Sequence, residues 1–154
     1  MSRGRVFLQY WLPVAVWMGI IFTASGDSDS AQRSSRVIEP VVRWLFPHLS
    51  DDTVHLIVFL VRKCAHLMEY AVLALLFWRA LRKPVRDDPR PWKWSEAGWA
   101  MLFVAAYGIS DELHQALIPS RQGRLHDVAI DTAGAAVGLF TLWLLGRWPH
   151  GKRV

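Results

Sequence analysis

Cysteine is almost missing: Cys64 stands alone among 154 residues, so no internal disulfide can staple the chain. It reads as a small packing residue. Acidic residues are scarce beside basic ones, 13 against 18, which leaves a formal net charge of +5. Also missing are any internal repeat, any low-complexity tract and any β-type alternation of useful length. These absences exclude a disulfide scaffold, a repeat array and a sheet-based domain. The length has room for one domain, residues 1–154, and the expected fold is all-α.

What is abundant is hydrocarbon, and indole with it. Apolar residues make up 53% of the chain, while the charges fall in short blocks between apolar runs. A membrane-spanning helix needs roughly 20 mostly apolar residues, and four segments qualify: 6–25, 63–81, 97–118 and 128–146. The second and third qualify only if their polar residues face the interior of a bundle. Of nine tryptophans, Trp78, Trp92, Trp94, Trp99, Trp143 and Trp148 sit near predicted span ends, where amphipathic rings settle at headgroup level. The bland alternative makes them core aromatics of a soluble bundle. The pattern thus predicts a polytopic membrane protein built as a four-transmembrane-helix bundle. Arg3, Arg5 and the small residues Thr23-Ala24-Ser25-Gly26 also resemble a secretory signal, but the apolar stretch is long for one, so a retained helix is expected.

Basic residues set the expected orientation. Four spans put both termini and the middle loop on one side, with Arg3, Arg5, Arg79, Arg82, Lys83, Arg86, Arg90, Lys93, Arg147, Lys152 and Arg153. The other side holds Arg33, Arg36, Arg43, Arg62, Lys63, Arg121 and Arg124. Both termini are therefore expected in the cytoplasm, with the protein multi-pass in the cell (inner) membrane. The positive charge then lies beside anionic lipid, and no nucleic-acid partner is implied. In the first outer loop Val37, Ile38, Val41, Val42, Leu45 and Phe46 recur at helical spacing. They predict an interfacial amphipathic helix, lying on the outer membrane surface or capping the bundle. Asp51 and Asp52 resemble an N-cap for a helix from Val54 into the second span. The middle loop, with Pro84, Pro89 and Pro91, is expected to be irregular and without chemistry.

Ionisable residues gather at matching ends of three spans. Arg62, His66, Glu69 and Tyr70 share one helical face; Asp111, His114 and Gln115 share another; Asp127 and Asp131 are one turn apart in line with Gly134, Ala135 and Gly138. Chain direction alternates, so all three polar ends meet in the outer half of the bilayer. Glu69, roughly 10 Å deeper than Arg62 by helical rise, is expected to face Asp111 and Asp131 at similar depth. Ionisable groups inside lipid are costly and suggest a functional site.

The stretch Arg62-Lys63-Cys64-Ala65-His66-Leu67-Met68-Glu69-Tyr70 resembles the arginine-lysine-x-x-histidine-x-x-glutamate-tyrosine motif of VanZ-like membrane proteins. Asp111-Glu112-Leu113-His114-Gln115 is similar to their second motif, as are Pro119-Ser120-Arg121-Gln122-Gly123-Arg124, Asp127, Asp131, Gly134 and Gly138. Ser25 falls where that family often has serine. Ser120 takes the place of a frequent glycine and Asp131 that of a frequent asparagine. The resemblance covers nearly the whole chain, and it implies an association with low-level resistance to teicoplanin-type glycopeptide antibiotics.

Three accounts of the site stay open at this level. In the first, Arg62, Lys63, Gln115, Arg121 and Arg124 bind an anionic envelope lipid or a lipid-linked cell-wall precursor, since guanidinium forks match phosphate oxygens. In the second, Glu69, Asp111, His114 and Asp127 carry catalysis, with His66 and Asp131 helping to hold a divalent metal that activates water against a phosphoester or amide. The spacing is not that of the histidine-glutamate-x-x-histidine metalloprotease motif. In the third, the acids pair with His66, His114, Arg62 and Arg121 only to fix the helices, as a non-enzymatic structural or interaction protein would need.

Overall fold

Pro13 shapes the first helix. It has no N–H to give, so the carbonyl of Gln9, one turn earlier, needs another donor. Arg79 supplies it, donating Nη1 to that oxygen at 2.8 Å. Around this point the helix widens: Arg3–Val6 is α-helical, Phe7–Trp11 is π-helical, and Leu12–Gly26 is α-helical again. The Leu12 N–H reaches back to the Phe7 carbonyl in the longer register. These pieces run on as one helix, α1.

The computed structural model describes residues 3–26, 30–84, 88, 90–117 and 125–147, and those residues contain no strand. After α1 come α2 (Ser30–Leu45), α3 (Asp51–Arg82), α4 (Trp94–Ala116) and α5 (Leu125–Arg147). The all-α expectation holds, and each predicted span falls within or close to one helix. Two helical stretches, Gly4–Ser25 and His126–Gly146, are long and apolar enough to cross a membrane.

Ser50, and not Asp51 or Asp52, caps α3; its side chain accepts from the Thr53 N–H at 3.4 Å. The two aspartates occupy the first turn, where carboxylates meet the positive end of the helix dipole. The helix therefore starts three residues before the expected Val54 and continues unbroken for 32 residues. It ends where Lys83 turns left-handed at φ 49 and gives its N–H to the Arg79 carbonyl, just before Pro84.

Helix α3 is the hub. Its Tyr70, Leu73, Ala74, Phe77 and Ala80 form the core with Tyr10, Val14 and Ile21 of α1, Ala97, Ala100 and Val104 of α4, and Ala135 and Leu139 of α5. Small residues set the closest crossing. A methyl group on Gly134 would sit 2.9 Å from the Leu67 Cα, and one on Gly138 would sit 3.0 Å from the Ala71 carbonyl oxygen. Only glycine lets α5 lie this near the α3 backbone.

Helix α2 packs on the start of α3: Val42 is buried against Val54 and Val58, with Ile38 partly buried beside them, and Arg43 bridges Glu39 and Asp51 at 2.9 Å each. Its other apolar side chains, Val37, Val41 and Trp44, stay exposed, with Trp44 at 80%. Cys64 is exposed as well, contrary to the packing role expected for it.

The middle loop is more organised than its prolines suggest. Arg82 is buried and donates to Glu96 at 2.9 Å, to the Pro91 carbonyl at 3.1 Å and to the Arg90 carbonyl. Asp88 lies 3.3 Å from the Arg82 Nε and accepts from Arg90 at 2.7 Å. The Arg90 guanidinium beside Asp88 holds that carboxyl well below the usual carboxylate range. A tryptophan cluster adjoins this clamp: Trp78 stacks on Trp92, Trp92 meets Trp94 edge-on, and Trp94 tilts against Trp143.

Candidate functional site

Asp111 is the most enclosed acid of α4, only 2% exposed, and three helices converge on it. Its Oδ2 accepts from the Ser25 hydroxyl of α1 at 2.9 Å, from the Tyr70 hydroxyl of α3 at 3.3 Å and from the amide of Gln115 one turn on at 3.0 Å. Its Oδ1 is buried and lacks a hydrogen-bond partner among the described residues. Gly108 lies opposite Tyr70: a Cβ there would make ordinary contacts, 3.6 Å from the tyrosine ring and 3.7 Å from Oδ2 of Asp131. Tyr70 thus stands between Asp111 and Asp131, which is itself buried.

Beside this knot a cavity of about 180 Å³ opens between α3, α4 and α5. Arg62, Lys63 and His66 line one wall; Glu112 and Gln115 come from α4; Asp127 and Asp131 come from α5. Phe59 and Ile130 supply the apolar remainder. Lys63 donates to Asp127 Oδ1, tying α3 to α5 at the cavity edge. Cations and carboxylates are therefore interleaved, and no single sign of charge dominates the described walls.

Six of the residues expected to form a site meet here: Arg62, Lys63, His66, Gln115, Asp127 and Asp131. Three others are placed elsewhere. The Glu69 carboxylate is 36% exposed, 3.8 Å from His66, and off the cavity wall. His114 stacks on Phe22 of α1 with ring centroids 4.2 Å apart. Asp111 lies behind the wall in its own network. Arg121 and Arg124 fall outside the described residues, as do Pro119, Ser120, Gln122 and Gly123 of the same motif. Among the described residues, no group of three or more His, Cys, Asp or Glu side chains is placed to hold a metal ion. His66 and Asp131 share the cavity without closing a ligand set among the described residues.

Sequence reasoning gave no role to Glu112, Phe59 or Ile130. Glu112 was within reach of it, since it precedes Gln115 by three residues and so shares its helical face. Nothing local in the sequence marks Tyr70 and Ser25 as donors to Asp111.

An apolar helical bundle that encloses a mixed-charge cavity and a buried carboxylate knot is the class these features define. The family model described as VanZ/LLP1 matches residues 10–146. The chain belongs to the VanZ/LLP1 family. No curated protein and no solved structure matches it.

Proposed function

We propose that the chain is a four-span envelope membrane protein whose cavity binds the polar headgroup of an anionic lipid or lipid-linked cell-wall precursor. The observation that carries this reading is the inverted dressing of α4. Asp111, Glu112 and Gln115 are buried, while Trp99, Leu102, Ile109 and Leu113 are exposed. Water would favour the reverse arrangement, and a hydrocarbon surround favours this one. Exposed apolar side chains on the other helices, such as Ile20, Met68 and Phe140, support the same surround. With basic residues denser at the termini and middle loop, the cavity belongs to the outer leaflet.

The cavity chemistry suits a headgroup with both acceptors and donors. Arg62, Lys63 and His66 face phosphate oxygens, while Glu112, Asp127 and Asp131 accept from hydroxyl or ammonium groups. Small-molecule pockets usually run from about 300 Å³ upward, so the smaller space here suits part of a headgroup. Phe59, half-exposed and also on the cavity wall, lets the lipid chain continue along the outer surface. Binding of this kind offers a basis for the family's association with tolerance to teicoplanin-type antibiotics, which engage lipid-linked precursors. Binding is favoured over cleavage because, of Glu69, Asp111, His114 and Asp127, only Asp127 reaches the cavity, where it is paired with Lys63 and meets a headgroup as part of that pair.

The test is lipid mass spectrometry on detergent-purified protein. Arg62→Ala and Lys63→Ala are expected to lose bound anionic lipid by about tenfold, the effect of one charge-assisted hydrogen bond worth about 1.5 kcal/mol. Equal lipid in wild type and both variants would sink the assignment.

A further inference from the structure

The Glu69 carboxylate accepts no hydrogen bond from any described residue; His66 Nδ1 stands 3.8 Å from its Oε2, beyond bonding reach. The backbone at this turn is fixed nonetheless, because Trp17 of α1 donates Nε1 to the Glu69 carbonyl at 2.9 Å. The carboxylate is 36% exposed, and Ala65, Met68 and Val72 on the same flank of α3 are exposed as well. In the proposed bilayer that flank meets hydrocarbon, which offers no donor, and a carboxylate left alone there is costly. A ligand can supply what is lacking. His66 marks the route, because it lines the cavity and also adjoins Glu69.

Order along α3 says what that ligand carries. Arg62, His66 and Glu69 share one face, and Glu69 lies about 4.5 Å below His66 by helical rise. Two phosphate-binding side chains thus precede a lone acceptor on the way toward the hydrocarbon. We infer that the lipid of this cavity is a monoacyl glycerophospholipid. Its phosphate sits at Arg62 and His66, and its free glycerol hydroxyl, two carbons farther toward the chain, donates to Glu69. The inference rests on the headgroup reading of the cavity and names which lipid fills it. A diacyl phospholipid carries an ester at that carbon, whose oxygens only accept, so it sets acceptor against acceptor. A polyprenyl carrier has hydrocarbon there and leaves Glu69 without a donor.

Native mass spectrometry of the full chain in detergent tests this with three probes of one headgroup and one chain length. They are monoacyl phosphatidylglycerol, its 2-O-methyl ether, which keeps the single chain but loses the donor, and the diacyl lipid. Wild type is expected to bind the first about tenfold more tightly than either of the others, the effect of one hydrogen bond to a carboxylate. Glu69→Ala is expected to bring all three to one level. Glu69→Gln, closest in shape and able to donate to an ester, is expected to lose the preference too and carries the test if the alanine variant does not fold. Equal binding of the monoacyl lipid and its methyl ether by wild type overturns the inference. So does a preference that survives both substitutions at Glu69. Loss of a dimer in those variants with lipid binding unchanged also overturns it, by giving the carboxylate to a second copy of the chain. Arg62→Ala is expected to weaken all three probes alike; if it weakens none, the headgroup reading of the cavity fails, and this inference with it.

Discussion

Asp111 is held by donors from two other helices and from its own, and its removal would strand all of them in a dry interior. Asp111→Ala is expected to destabilise the protein by about 2–4 kcal/mol, because Ser25, Tyr70 and Gln115 lose a common acceptor. Asp111→Asn keeps one carbonyl acceptor and is expected to cost less than half as much. Thermal unfolding in detergent, followed by circular dichroism, distinguishes the two. A second pair of substitutions separates crowding from helix propensity. Gly134→Ala forces a methyl group onto the Leu67 backbone and is expected to cost about 1–3 kcal/mol. Gly98→Ala meets nothing within 4 Å and is expected to be neutral or to stabilise by up to about 1 kcal/mol. Comparable losses at both positions would contradict the close crossing of α3 and α5.

Among the described elements, the turn from α3 into α4 is held chiefly by ion pairs. Arg82 is the buried centre of that clamp, and Arg82→Gln is expected to cost about 3 kcal/mol by leaving Glu96 without its cation and Asp88 with Arg90 alone. The pH dependence has a definite sign. Asp88 is depressed by Arg90, so its contribution is complete above its unfolded value of about 4 and fades as pH falls through the lower folded value. The melting temperature is expected to drop between pH 5 and pH 2 in wild type and to drop less in Asp88→Asn; identical slopes would refute the clamp. This element was the least legible in the sequence. Three prolines mark an irregular segment, but nothing local says that Arg82 turns inward to meet it. The helices were far easier to read, since long apolar runs register directly in hydropathy. Facing was intermediate. A shared face put Arg62, His66, Glu69 and Tyr70 together, yet adjacent residues differ by about 100° around a helix. Tyr70 took the interior place opposite Gly108, which turned Glu69 toward the outside. His114, between Asp111 and Gln115 in sequence, stacks on Phe22 of α1 while those two face the interior.

At the scale of the whole molecule, the proposed four-span arrangement is open to direct measurement. In a Cys64→Ala background, Asp52→Cys at the start of α3 is expected to react with a membrane-impermeant maleimide in intact cells. Lys93→Cys, just before α4, is expected to react only after the cells are permeabilised. Labelling of both from outside would reverse or dissolve the topology. The unbroken run of α3 has one more implication. Lys63 borders the cavity of the candidate site and Trp78 a second cavity beside the loop from α3 to α4, and an α-helix fixes them about 22 Å apart along its axis. Lipid hydrocarbon is about 30 Å thick. If the chain spans a bilayer as proposed, its section between these two cavities is shorter than the hydrocarbon layer, and the surrounding bilayer is expected to thin around it.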